Sequence, residues 1–383
     1  MKELPRPLTS AEAAVVSAGN GFAFDLLREV SRRKPGENVF VSPLSASLAL
    51  GMTSNGARGR TRDEMVATLG FGALPQAEVN GAYRGLIDLL RGLDGRVQMH
   101  IANSVWYRQD YPFEQAFLAD ARRYYDAEVA ALDFSSPSAA RTINNWVSGA
   151  TRGRITTIME GARPDDVMHL VNALYFKGTW QTQFDRAKTT TEPFHAADGT
   201  ARPVPMMRRE GKIQYAAGPE YQAVELPYAR GAFVMTLVLP APGRSVDGLV
   251  ASLDAAGWEA LTGRLVETSG FTVGLPRFRL EHSHELNATL QALGMRAAFT
   301  PGGADFTGLS PLGRDLFITQ VLQKTFVEVN EEGTEAAAAT RVSIGPTSAP
   351  PSVVFNRPFV FAIRERFSGT ILFVGKMAAP PAS

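Results

Sequence analysis

From Thr334 to Ile344 the chain alternates with a period of two. The even positions, Thr334, Ala336, Ala338, Thr340, Val342 and Ile344, are small or β-branched; the odd ones are Glu335, Ala337, Ala339, Arg341 and Ser343. Successive side chains of a strand point to opposite faces, so this pattern offers one face fit for burial and one fit for water. Gly333 stands where such a strand would leave its predecessor, and glycine accepts backbone angles that other residues do not. Gly345 to Pro351 then carries Pro346, Pro350 and Pro351, which cannot donate to a ladder. The stretch Glu331–Ser352 lies between the apolar runs Leu316–Asn330 and Val353–Ile363. It reads as an exposed loop whose first half is patterned to enter a sheet. A plain surface linker with low-complexity alanines fits the pattern equally well, and the flanks decide between the two.

Composition narrows the function classes. The 383 residues are enough for a large core, and no linker-like break divides them. A net charge of +1 provides no global field for nucleic acid or a membrane surface. With no cysteine there is no disulfide framework, thiol nucleophile or cysteine zinc site. No run is long enough for a membrane span, and Met1–Pro7 lacks the apolar core of a signal peptide. The expected location is therefore the cytoplasm, or outside the cell if a leader has been removed; abundant alanine, arginine and glycine lean toward a bacterial source.

Taken in order, Thr9-Ser10 caps a predicted helix to about Arg33, and after Val39–Ser45 a second helix runs through Met52. Helices follow at Thr61–Leu69, Gln76–Leu90, Phe113–Tyr125, Pro137–Thr151 and Leu286–Leu293. Strands are expected at Gln98–Tyr107, Glu128–Phe134, Asp166–Gly178, Pro203–Met207, Val224–Leu226, Val234–Leu239, Thr272–Leu280, Leu316–Asn330, Phe359–Arg364 and Ile371–Lys376. Asn172 interrupts the apolar run of Asp166–Gly178, and a buried Asn must be hydrogen-bonded, so a polar network is expected there.

No catalytic set emerges, and no enzyme is expected. His282 and His284 are two apart and form no HExxH; the pair reads as a surface strand end. Gly369–Met377 has one residue too many between its glycines for a phosphate loop, and Gly19-Asn20-Gly21 lacks a third glycine. Asn287-Ala288-Thr289 fits a glycosylation sequon but falls in a predicted helix. No cofactor or metal is expected.

The flanks of the patterned loop resemble the serpin family. Phe326–Thr340, FVEVNEEGTEAAAAT, is similar to the serpin hinge, and Val353–Ile363, VVFNRPFVFAI, to the serpin signature after the reactive loop. Asn172–Trp180, NALYFKGTW, resembles the third strand of the serpin main sheet, and Val39–Ser45 resembles the start of its central helix. Ile143–Val147 resembles the helix lying across that sheet. The resemblance implies an α+β serpin fold: one domain, residues 1–383, with a large central mixed sheet, further sheets, about eight or nine α-helices and a reactive loop at 331–352.

It also implies site roles. Ser42, Ser45, Asn172 and Gln323 fall at the family's shutter in mid-sheet, with Gln323 where a His is usual. Trp180 and Arg277 fall at the breach, where Glu331 would pair with Arg277. Glu331, Gly333, Thr334, Glu335, Ala336, Ala337, Ala338 and Ala339 form the hinge. Fourteen residues beyond Gly333 lies Thr347, and the family's Ser-x-Pro-Pro matches Ser348–Pro351, so both counts place the reactive bond at Thr347-Ser348. Ile344, Gly345, Pro346 and Thr347 would suit elastase-like or subtilisin-like serine proteases. The implied partner is a target serine protease held as a covalent acyl-enzyme by a monomer, with loop–sheet polymers as a hazard. Only Arg84 and Arg91 lie in or near the helix that binds heparin in some members, so no heparin site is expected. The alternative is a non-inhibitory serpin acting as a binding or chaperone-like protein, for which bulky, charged or proline residues at inward hinge positions are expected and are absent.

Overall fold

The computed structural model describes residues 3–333 and 351–381. In chain order the first elements are α1 (Ser10–Arg33), β1 (Val39–Val41), α2 (Pro43–Ser54), α3 (Gly59–Leu69), α4 (Gln76–Gly92), β2 (Gln98–Arg108), α5 (Gln115–Tyr125), β3 (Glu128–Leu132), α6 (Ser138–Ala150) and β4 (Met168–Lys177). There follow β5 (Thr190–His195), β6 (Ala201–Ala217), β7 (Tyr221–Pro227), β8 (Phe233–Pro240), α7 (Val246–Ser252), α8 (Ala255–Gly263), β9 (Val266–Pro276), β10 (Phe278–Glu285), α9 (Asn287–Ala292), β11 (Gln320–Val329), β12 (Ser352–Val354), β13 (Phe359–Glu365) and β14 (Ile371–Met377).

The strands make two sheets. One has nine strands in the order β1-β14-β13-β8-β7-β6-β9-β12, with β5 also on β6. The other has five, β10-β11-β4-β2-β3, and is mixed: β11 runs parallel to β4 and β2 parallel to β3. Helix α2 lies under this second sheet. Every residue from Pro43 to Ser54 is buried, as expected of a helix without a polar face. Its small residues admit close neighbours; a Cβ on Gly51 would come within 2.9 Å of the Tyr83 ring. Helix α6 covers the opposite face, where Ile143 and Val147 join a cluster with Ala102, Val171, Ala173, Leu322 and Phe326. Covered on both sides, β4 is buried along all its length but Lys177.

Three expectations need correcting. Thr272–Leu280 is not one strand: β9 ends at Pro276 in the nine-stranded sheet and β10 begins at Phe278 in the five-stranded one. Pro276 has no N–H with which to extend the ladder, and Arg277 donates its own N–H to the Pro205 carbonyl at the crossing. Between the predicted strands Val234–Leu239 and Thr272–Leu280, where no helix is predicted, lie α7 and α8. Their signals were Ser245, whose hydroxyl accepts from the Gly248 N–H at 3.0 Å, and Asp254, whose carboxylate accepts from Gly257 at 2.7 Å. Strand β6 is 17 residues long, well beyond the predicted Pro203–Met207.

Candidate functional site

The seam between β11 and β4 is where the predicted site residues gather. Its parallel ladder runs from Gln320↔His169 to Thr325↔Leu174. The strands continue to Val329 and Lys177 without pairing to one another beyond that point. At the unpaired end the chain turns through Glu331, Glu332 and Gly333, with the Asn330 N–H donating to the Gly333 carbonyl at 2.9 Å. Gly333 has φ +134°, and a Cβ there would meet the Gly178 carbonyl oxygen at 2.3 Å and Thr179 Cα at 2.6 Å. Close backbone approach thus requires glycine as strictly as the dihedral does.

Trp180 anchors the turn. Its Nε1 donates to the Asn330 carbonyl at 2.9 Å and its backbone N–H to the Glu332 carbonyl at 2.8 Å. Its ring stacks on Tyr228 with centroids 4.4 Å apart. Glu331 is buried and accepts from Arg277 Nη2 at 2.5 Å and from the Thr189 hydroxyl at 2.7 Å. Burial opposes the charge on Glu331, but these hydrogen bonds outweigh it and hold the carboxyl below its ordinary value. Glu332, also buried, is ion-paired to Arg186. Arg277→Ala should leave the Glu331 carboxylate buried with one side-chain donor and cost about 1–3 kcal/mol. Urea unfolding monitored by circular dichroism reads this directly, and an unchanged midpoint refutes it.

In mid-seam, Gln323, Asn172, Ser42 and Ser45 form one buried network. Gln323 Oε1 accepts from the Ser42 N–H at 2.9 Å while its Nε2 donates to the Ser42 carbonyl at 2.8 Å. Nε2 also lies 3.3 Å from Asn172 Oδ1. Asn172 Nδ2 donates to the Ser45 carbonyl at 2.6 Å, and the Ser45 hydroxyl donates to Asn172 Oδ1. The Ser42 hydroxyl donates to the Leu372 carbonyl at 2.8 Å, which ties the first turn of α2 to β14. A primary amide carries donor and acceptor side by side, so Gln323 grips both backbone groups of Ser42, the N-cap of α2. One further member was not anticipated: Asn103 accepts from Asn172 Nδ2 at 2.7 Å. Separately, the Thr325 hydroxyl donates to the Phe40 carbonyl at 2.8 Å. Asn103 carries the same signal that marked Asn172, an amide inside an apolar strand.

On the outer face, the segment after α6 is stapled to β11. Lys324 Nζ donates to the Thr157 carbonyl at 2.8 Å and pairs with Glu281 of β10 at 2.8 Å. The Asn144 carboxamide bonds to Ile158 and Met159, fixing that segment to α6.

Thr334, Glu335, Ala336, Ala337, Ala338, Ala339, Ile344, Gly345, Pro346, Thr347 and Ser348 lie outside the described residues. His284 is buried rather than at the surface, because β10 turns it inward toward Phe40 and Gln323. The Asn287 carboxamide donates to the Thr319 carbonyl at 2.6 Å and accepts from the Val321 N–H at 2.8 Å, which commits it to the fold. Arg84 and Arg91 are both paired to Asp126, and Arg84 also to Asp88. Among the described residues no group of three or more His, Asp or Glu side chains is placed to hold a metal, and no helix is long and apolar enough to cross a membrane.

A family model for serpins (serine protease inhibitors) matches residues 17–380. The chain is 37% identical over 377 residues to a serpin-like protein of Thermococcus kodakarensis, covering 96% of this chain and 86% of that one. It is 34% identical over 380 residues to the human leukocyte elastase inhibitor, covering 95% and 99%. Among solved structures, the thermophilic serpin tengpin in its native state superposes with a TM-score of 0.89 at 31% identity, covering 99% of this chain and 96% of that one. Human thyroxine-binding globulin superposes with a TM-score of 0.90 at 29% identity, covering 97% and 100%.

Proposed function

The chain belongs to the serpin (serine protease inhibitor) family, and from that premise we propose that it inhibits serine endopeptidases as a suicide substrate. A target protease cleaves the reactive loop, residues 331–352, at Thr347-Ser348 and is held as an acyl-enzyme on Thr347. The freed segment Thr334–Ile344 then enters the five-stranded sheet between β4 and β11. Of the 383 residues, read as one domain, this seam is the working part.

The observation that carries the reading is the half-closed seam. β4 and β11 are parallel neighbours whose ladder stops at Thr325↔Leu174, short of the turn from which the loop departs. A strand continuing from β11 through the Glu331–Gly333 turn would run antiparallel to both neighbours and pair with each. Parallel pairing is slightly weaker per residue than antiparallel, so exchanging one parallel interface for two antiparallel ones is favourable. Each added ladder bond contributes about 1 kcal/mol net. Eleven residues at roughly 3.3 Å each extend about 36 Å, enough to carry an attached protease from one end of the sheet toward the other. On this account the state with the loop outside the sheet is metastable. Trapping succeeds only if insertion outruns deacylation, and small residues at Ala336–Ala339 favour fast entry.

Ile344-Gly345-Pro346-Thr347 favours elastase-like or subtilisin-like targets, because trypsin-like enzymes need Arg or Lys before the cut. The test is incubation with pancreatic elastase, subtilisin, chymotrypsin and trypsin, followed by denaturing gels and mass spectrometry. A boiling-resistant band of summed mass with elastase or subtilisin, together with release of a peptide beginning at Ser348, is expected. Cleavage without a stable complex would overturn inhibition in favour of a non-inhibitory serpin.

A further inference from the structure

Four strands of the five-stranded sheet place a polar residue at one level on the inner face. His284 of β10 stands opposite Gln323 of β11, Gln323 opposite Asn172 of β4, and Asn172 opposite Asn103 of β2. All four are buried. The three amides bond along the row, and Gln323 and Asn172 also bond to Ser42 and Ser45; at the two ends of the row Asn103 Nδ2 and His284 Nε2 have no partner among the described residues. The His284 ring stacks on His282 of the same strand, with centroids 5.6 Å apart.

The charges around this pair give a proton little help. On β10, Glu281 is committed to Lys324 and Arg279, and Glu285 accepts from the Gln320 amide on the exposed side. β11 presents the neutral Gln323 inward and turns Lys324 to the outer face. Lys34, capping the end of α1, disfavours a charge on both rings, and Glu37, just before β1, favours one on His282. From β14, the buried Lys376 is held by Asp247 and the Lys34 carbonyl. At His284 the favourable influence is the Phe40 backbone, and neither His282 nor His284 has a carboxylate within ion-pair distance among the described residues.

We infer that His284 is an acid-operated release for the sheet: protonating its ring favours separation of β10 and β11 from α2 and opening of the β4–β11 seam. A cation in this pocket has no anion to meet and can be hydrated only if the strands move apart. Movement at His284 passes directly to Gln323, its cross-strand neighbour, and so to the two bonds that hold Ser42. Burial, then His282 and Lys34, lower the His284 pKa from 6.5 to about 4. The stabilisation is therefore complete above about pH 6.5 and is lost as the pH falls toward 4. Between pH 8 and pH 5 the closed-to-open ratio should fall roughly thirtyfold. The inference rests on the proposed strand insertion only for what the opened sheet does next.

The experiment combines two measurements on the full chain. The five histidines are titrated by NMR with assignment by substitution, and the rate at which native protein is lost at pH 4.5–8 in mild urea is compared among the parent, His284→Gln and His282→Gln. Expected are a His284 resonance that titrates below about pH 5, acid-accelerated loss in the parent and His282→Gln, and loss of most of that acceleration in His284→Gln. An unchanged pH profile in His284→Gln, or His284 titrating at or above an ordinary histidine, overturns the inference. If His284→Gln does not fold, the parent titration alone decides. The product identifies the other proposal separately. A heat-resistant, loop-inserted form agrees with strand insertion, whereas an unfolded product with the predicted His284 dependence would support the release and count against insertion.

Discussion

Thr334→Arg is expected to turn the protein from an inhibitor into a substrate: cleavage at Thr347-Ser348 continues and the boiling-resistant complex disappears. The alternation from Thr334 to Ile344 directs Thr334 inward on insertion. At that height the inner faces of the flanking strands present Leu174 and Phe176 of β4 and Val327 and Val329 of β11, all at most 1% exposed. A guanidinium there would be buried without a counter-charge, at a cost of several kcal/mol. Insertion and deacylation compete, so the outcome depends on a ratio of rates. A barrier only about 3 kcal/mol higher slows insertion roughly 150-fold. Glu335→Arg, on the outward face, should preserve trapping. The check is the ratio of cleaved inhibitor to complex on denaturing gels against increasing protease. Full trapping by Thr334→Arg would exclude insertion as the mechanism.

Gln323→Leu should produce the largest loss of native-state stability, about 2–5 kcal/mol. It removes both contacts with the Ser42 backbone and leaves that N–H and carbonyl buried without their partner from β11. Gln323→His should recover only part of the loss. An imidazole's two nitrogens point away from each other and cannot grip adjacent donor and acceptor groups as an amide does. Because these bonds hold β11 to α2, the Leu variant should also convert more readily to inserted or polymeric forms on gentle heating. Urea midpoints and native gels report the two effects, and a Leu variant within about 0.5 kcal/mol of the parent would show the grip to be idle.

Much of this was legible in the chain because it rests on local rules. The cap at Thr9 and the buried run of β4 follow from short-range chemistry. Asn172 announced a network because an amide in an apolar strand must find partners. Less legible were the partners themselves. Gln323 and Ser42 are 281 positions apart, and Asn103 and Asn172 are 69 apart. Residues 272–280 misled because two strands of different sheets abut there, and a continuous run of strand-forming residues does not reveal that the chain changes sheet between them.

What the sequence alone determined is the period-two segment after Gly333, the apolar strands around it and the family to which they point, since each depends on neighbours in the chain. Only the tertiary structure decided that β4 and β11 are parallel, where their ladder stops, that Gln323 holds the Ser42 backbone at the cap of α2 and that His284 faces inward beside it. Those features depend on which distant segments are brought together and in what register. Register follows from the packing of whole sheet faces against α2 and α6, an energy summed over contacts remote in sequence, and no single stretch of the chain encodes it.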